Sequence, residues 1–310
     1  MTILSHSLTK LLFRKIPAIF VTCVVISAWA QMGQMAQRPY AQQGPIAISA
    51  LPSGVIVVLG SRGGLSLINP ATGLLTPIKE TLGNVTPLDL SVARIGNQEF
   101  IFVTAYWAIS AQSMQSNQGL VVQYSLQGNE IHRWSSLGRT FGGLVVDGNN
   151  QAIYLGSAGN EEISKLSIRD RAFPEFIARV AGSSRLGPLA LDTDGHRLFV
   201  CDVEGGNVYM VDLASHKSRA LAYGIGSPAA LAYHPAQHRL YVADASGHRV
   251  LQLATDAKIT KASTFSSAPE FREPRGITIG PDQSLWVADY GARAVFQLSA
   301  TGQVIKTVRK

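Results

Sequence analysis

Six short apolar runs recur along the chain at nearly constant spacing, and that repeat constrains the fold more than any other feature. They begin at Ile56 (IVVLG), Ile101 (IFVTA), Ile153 (IYLGS), Leu198 (LFVCD), Leu240 (LYVAD) and Leu285 (LWVAD), so the steps are 45, 52, 45, 42 and 45 residues. Each follows another β-rich run that opens on Pro or Gly: GPIAIS at Gly44, TPLDLSV at Thr86, GGLVVD at Gly142, GPLALD at Gly187, SPAALAY at Ser227 and EPRGITI at Glu273. A third run such as NVYMVDL or AVFQLSA comes next, and usually a fourth. Four short strands in about 45 residues is the spacing of a propeller blade, and no helical period competes with it.

The details agree with an all-β, six-bladed propeller of four-stranded antiparallel blades. Asp194-Gly195, Asp147-Gly148-Asn149-Asn150, Pro52-Ser53-Gly54 and Pro281-Asp282 fall between first and second strands, where a hairpin must reverse. The second run of each unit is apolar without alternation, as a strand walled in on both faces must be. From residue 31 to the first run, and from the last run to the end, the flanking lengths together supply about one more spacing, so the ring closes at six. All four strands of the last unit are present (RGITI, LWVAD, AVFQL, GQVIKTV), and no exchanged N-terminal strand is required. The 310 residues thus hold one domain rather than the two that length alone suggests.

Residues 1–30 read as an export signal. Lys10, Arg14 and Lys15 precede an apolar stretch from Ile16 to Ala30 that ends in Ala28-Trp29-Ala30, the small-x-small pattern cut by a signal peptidase. The stretch is shorter than the roughly 20 residues that span a bilayer, which makes a retained anchor the weaker reading. Lipidation at Cys23 is disfavoured by Thr22, where Gly, Ala or Ser is wanted. Residues 31–43 are a Gln-rich flexible leader, and 44–310 the propeller. Cleavage removes three of 27 Lys and Arg and none of the 20 Asp and Glu, so the formal charge falls from +7 to +4. Cys201 is then the single thiol, and packing alone must hold the domain. The remaining charges are dispersed over the repeats, which argues against a nucleic-acid partner, as export does. These features imply a periplasmic or secreted protein with no stable membrane insertion after cleavage.

The units SPAALAYHPAQHRLYVADASGHRVLQL from Ser227 and EPRGITIGPDQSLWVADYGARAVFQL from Glu273 resemble NHL repeats, whose pattern runs Pro-x-Gly-Ile-Ala, turn, Leu-Tyr-Val-Ala-Asp, then an Asn/His-Arg-Val strand. The match is good over units four to six and weaker over one to three. The architecture is also similar to that of the six-bladed gluconolactonase and senescence-marker proteins. That resemblance implies a divalent metal such as calcium, held by a Glu in a first-blade Glu-Gly-Pro, one or more Asn, and an Asp ending a second strand. Here the first-blade stretch is Gln43-Gly44-Pro45, the fourth-blade stretch is Gly187-Pro188-Leu189, and Asp244 alone matches by position. A hard cation that loses a carboxylate and an amide loses most of its site. The enzymatic alternative is therefore a hydrolase or lyase with a metal site remodelled around Gln43, Asp202, Asp244 and Asp289.

Asp202, Asp244 and Asp289 end successive second strands and carry two readings. They can form a carboxylate ring at the channel rim, or they can accept the N–H groups of the following turn and pair with Arg249 or Arg293. Repetition favours the second, because a site needs one special position. The six histidines beyond residue 30 lie in turns or strands without the i, i+4 spacing of a helical metal site. The long second unit places its extra residues in 106–118, between second and third strands, where Tyr106 and Trp107 are expected to overhang the channel mouth; packing of Trp107 on its own blade weighs equally. Asp89 and Arg275, just after the entrance prolines of units two and six, are expected on the same face. With no intact catalytic set, the chain reads as a module that binds a small molecule, sugar, peptide or protein through its channel face.

Overall fold

The computed structural model describes residues 44–107, 119–135, 137–170 and 173–309. The chain divides into residues 1–42 and 43–310, and the described residues all belong to the second unit. The expected export signal and leader, Gln43 among them, and residues 108–118 thus lie outside the described residues.

Twenty-four strands form six four-stranded antiparallel sheets, each from strands consecutive in sequence. The first strands are β1 (Pro45–Ala50), β5 (Val85–Ile95), β9 (Phe141–Asp147), β13 (Leu186–Asp192), β17 (Pro228–His234) and β21 (Pro274–Ile279). Each packs against its two neighbours, β21 against β1 included, so the ring is closed around them. The second strands, β2 (Ile56–Gly60), β6 (Gln98–Trp107), β10 (Ala152–Ser157), β14 (Arg197–Asp202), β18 (Arg239–Asp244) and β22 (Leu285–Asp289), are almost wholly buried along their apolar runs. The expected six-bladed all-β propeller is what forms, with no strand exchanged between blades.

The core has six parts, one between each pair of adjacent blades. Val57 and Leu59 of β2 meet Val103 and Leu120 of blade two. At the opposite end of the chain, Trp286 and Val295 of blade six meet Ile56 and Ile68 of blade one. At about 25 cal/mol for each Å² of apolar surface removed from water, this shared burial is what joins blade to blade. Where backbones approach closely the chain uses glycine: a side chain on Gly44 would run into the main chain of Tyr290, and one on Gly143 into that of Gly187 and Pro188. Polar links also cross the seam between last and first blades. Thr278 Oγ1 accepts from Ala50 N at 3.1 Å, and Lys306 Nζ donates to Pro70 O at 2.6 Å.

One turn device recurs. An Asp or Asn accepts the N–H three residues on, and the fourth residue takes a left-handed conformation before the next strand. Asp192 holds Gly195 N with His196 at φ 49°, Asp212 holds Ser215 N with His216 at φ 58°, and Asn69 holds Thr72 N with Gly73 at φ 73°. The two-residue Asp-Gly reversal expected from the sequence is thus a longer turn in which histidine, not glycine, occupies the left-handed position. Histidine is among the side chains enriched at such angles, which accounts for His196, His216, His238 and His248.

Candidate functional channel

The recurrent aspartates serve this same device and add a second link. Asp202 Oδ1 accepts from Gly205 N in its own turn and from Ser184 N and Arg185 N, which lead into β13. Asp244 Oδ1 accepts from Gly247 N and Ser227 N, and its Oδ2 from Arg249 Nε at 2.9 Å. Asp289 accepts from Ala292 N, Arg272 N and Glu273 N. All three are fully buried, each tying the entrance of a first strand to the turn beyond the second. They do not line the channel.

This bears on the divalent metal implied by the resemblance. At Asp244 both oxygens are engaged by main chain and by Arg249, which leaves a poor ligand for a hard cation. Among the described residues, no three His, Cys, Asp or Glu side chains are grouped to hold a metal. The described residues do not fit that ion.

Tyr106 and Trp107 depart from the expected overhang. Both belong to β6, paired with Thr86 and Val85 of β5, and both are half-buried. Trp107 packs on the core shared by blades one and two, with the Arg133 guanidinium 5.6 Å from its ring centroid. Neither lines the channel. Arg275 stands exposed at the rim, with Nε 2.7 Å from Glu273 Oε1 and its guanidinium 4.6 Å from the Tyr290 ring centroid.

The first strands of all six blades enclose a cavity of about 230 Å³. Its lining residues are mostly Ala, Leu, Ile and Val, with Ser49, Ser91, Tyr233 and Thr278 and one acid, Asp89. Register explains why Asp89 and not Arg275 reaches it. A bulge follows the entrance residue of each first strand, Phe141 of blade three included. Asp89, two residues past Pro87, therefore corresponds to Gly276, whereas Arg275 lies one residue earlier, at the place of Leu88. The same ring position holds Ala47, Gly143, Pro188 and Ala230 in the other blades. Five blades put a small or cyclic residue there, and blade two puts an acid.

Asp89 is 7% exposed. Its Oδ1 accepts from Leu90 N at 2.8 Å and its Oδ2 from Leu144 N, across in blade three, at 3.1 Å. Burial pushes its carboxyl up to about 7, against the partial relief of those two N–H bonds. Cys201, buried in β14, has its thiol held up first by burial and then by the carboxylates of Asp89 and Asp202. The singularity of Asp89 among the six blades emerges only when the bulged registers are aligned.

Residues 192–310 match the family described as SMP-30/Gluconolactonase/LRE-like region, which bears out the expected resemblance over blades five and six and most of blade four. No curated protein matches the chain. Among solved structures, the chain is similar to a nidogen/laminin complex at 14% identity and TM-score 0.64, covering 86% of this chain and 93% of that one. An auxiliary nutrient binding protein from Bacteroides thetaiotaomicron is similar at 11% identity and TM-score 0.63, over 81% and 68% of the two chains. Virginiamycin B lyase from Staphylococcus aureus, solved in a catalytically inactive form with quinupristin, is similar at 14% identity and TM-score 0.58, over 88% and 86%. At these identities the likeness is one of fold.

Proposed function

We propose that the protein is an exported binding module that takes a small molecule, or a projecting group of a larger partner, into its central channel. The observation that supports this reading is Asp89. At a ring position where five blades carry Gly, Ala or Pro, one buried acid faces the cavity, and a single departure from a repeat is what a site requires. Solved propellers of similar fold include one titled as a nutrient binding protein and one titled as a complex with laminin, which is in keeping with a binding role.

The test is a thermal-shift screen of sugars, short peptides, organic acids and amines against the mature protein and Ala230→Leu, which fills the channel from β17. Ligands that stabilise the first and not the second support the reading; ligands that act equally on both, or none at all, overturn it. The family match over residues 192–310 favours a second reading, a hydrolase or lyase with a remodelled metal site. A stoichiometric metal retained by the purified mature protein, together with a calcium or zinc thermal shift, would establish that alternative and overturn the binding-only account.

A further inference from the structure

Resting on the channel as the binding site, we infer that its ligand presents a small organic cation, an alkylammonium group, to the carboxylate of Asp89. Three observations carry this. First, among the described residues no Lys, Arg or His neighbour contributes to the ionisation of Asp89; its partners are two main-chain N–H groups. A carboxylate offers about four acceptor positions, so roughly two remain open on a side chain that faces the cavity. A buried anion without a counter-charge is costly, and a cationic ligand removes that cost.

Second, the structural task of this side chain does not need a charge. Two residues along β5, Ser91 Oγ accepts from Val146 N at 3.2 Å, the same link between β5 and β9 that Asp89 makes to Leu144 N. A neutral hydroxyl suffices for Val146, and the other blades manage the equivalent position with no polar side chain.

Third, the cavity selects the kind of cation. With about 230 Å³ between the six first strands, it is smaller than most sites for drug-sized ligands, and its mixed lining of aliphatic side chains and polar groups suits an ammonium carrying a short alkyl chain. Calcium takes six to eight oxygen ligands, and one carboxylate with scattered hydroxyls does not provide them; nor, among the described residues, are three His, Cys, Asp or Glu side chains grouped to hold a metal. Arg275 at the rim does not oppose entry, because Glu273 neutralises it.

The experiment uses calorimetric and thermal-shift titrations of the mature protein at pH 8 in borate, free of amine buffers. The probes are propylammonium, propanol, acetate and calcium ion. Propylammonium is expected to bind saturably and at least tenfold more tightly than propanol, with that preference lost in Asp89→Asn, whose fold is checked by its own melting transition. Equal binding of propanol and propylammonium to the wild type, tighter binding of acetate or calcium, or an unchanged preference in Asp89→Asn overturns the assignment. The comparison of propanol with propylammonium needs no variant. If a neutral sugar or peptide binds and is excluded by Ala230→Leu while no ammonium binds, the channel stands and the cation falls. If Ala230→Leu excludes nothing, both fall.

Discussion

Replacing Asp89 by asparagine should change how the fold responds to pH. In the folded protein the carboxyl titrates at about 7, against an ordinary value of 3.8. Between those limits the folded state holds the proton more tightly than the unfolded chain, so stability is greatest below the lower value and falls as pH rises through the upper one. From pH 5 to pH 8 the loss spans about two pKa units at 1.36 kcal/mol each, or about 2.7 kcal/mol. Asparagine has no charge to bury and removes this slope. Asparagine keeps one carbonyl oxygen where the N–H groups of Leu90 and Leu144 use two, which sets a constant offset of about 1 kcal/mol against the variant, and the change with pH is the quantity to read. From pH 5 to pH 8 the variant should gain about 2.7 kcal/mol on the wild type, about 5–10 °C in melting temperature for a domain of this size, and at pH 8 it should be the more stable of the two. Cys201 does not confuse the measurement, since burial keeps its thiol neutral throughout. Urea unfolding at pH 5, 6, 7 and 8 without amine buffers is the assay. Parallel pH curves for the two proteins, or a variant less stable at pH 8, would refute the argument that Asp89 is a desolvated acid.

Other substitutions probe the joints between blades. Asp289→Ala strips acceptors from three main-chain N–H groups, at Arg272, Glu273 and Ala292, and should cost about 3 kcal/mol by urea unfolding, while Asp289→Asn should cost about 1 kcal/mol. Gly143→Ala forces a methyl group against the main chain of Gly187 and Pro188 and should lower stability by about 2–3 kcal/mol; an effect below half of that would mean the first strands have room to part. Tyr124→Phe should be neutral, or stabilising by up to about 1 kcal/mol in the same assay, because the buried hydroxyl has no hydrogen-bond partner and burial pushes it up to about 12.

The blades were legible because burial on both faces leaves a plain mark: runs such as IVVLG and LFVCD have no polar alternation, and closure at six follows from their spacing. The aspartates were half legible. Their repetition pointed to a main-chain role, and the hydrogen bonds of Asp202 and Asp289 show it, but that each reaches back to the entrance of its own first strand depends on contacts across 16 to 18 residues. For Trp107 the sequence left overhang and packing evenly weighed, because the pattern of β6 shows no break before the extra residues; the strand continues through Tyr106 and Trp107 into half-buried packing. Asp89 and Arg275 looked equivalent because both follow an entrance proline. A bulge changes which residue faces inward without leaving any trace in composition, and one residue of offset separates a channel acid from a rim cation.

Every blade is made from consecutive strands, so the junction between blade six and blade one is of the same kind as the other five: side chains pressed together, with no ladder running across. The order in which the chain visits the blades is then a matter of history rather than of mechanics. A circularly permuted chain that begins at Leu186 or Pro274, with residues 309 and 44 joined by a short flexible link, should close into the same ring and keep the same channel. Were such permutants to melt far below the parent, the joint between last and first blades would have to be stronger than its neighbours, and continuity of the backbone would be contributing what packing here is taken to supply.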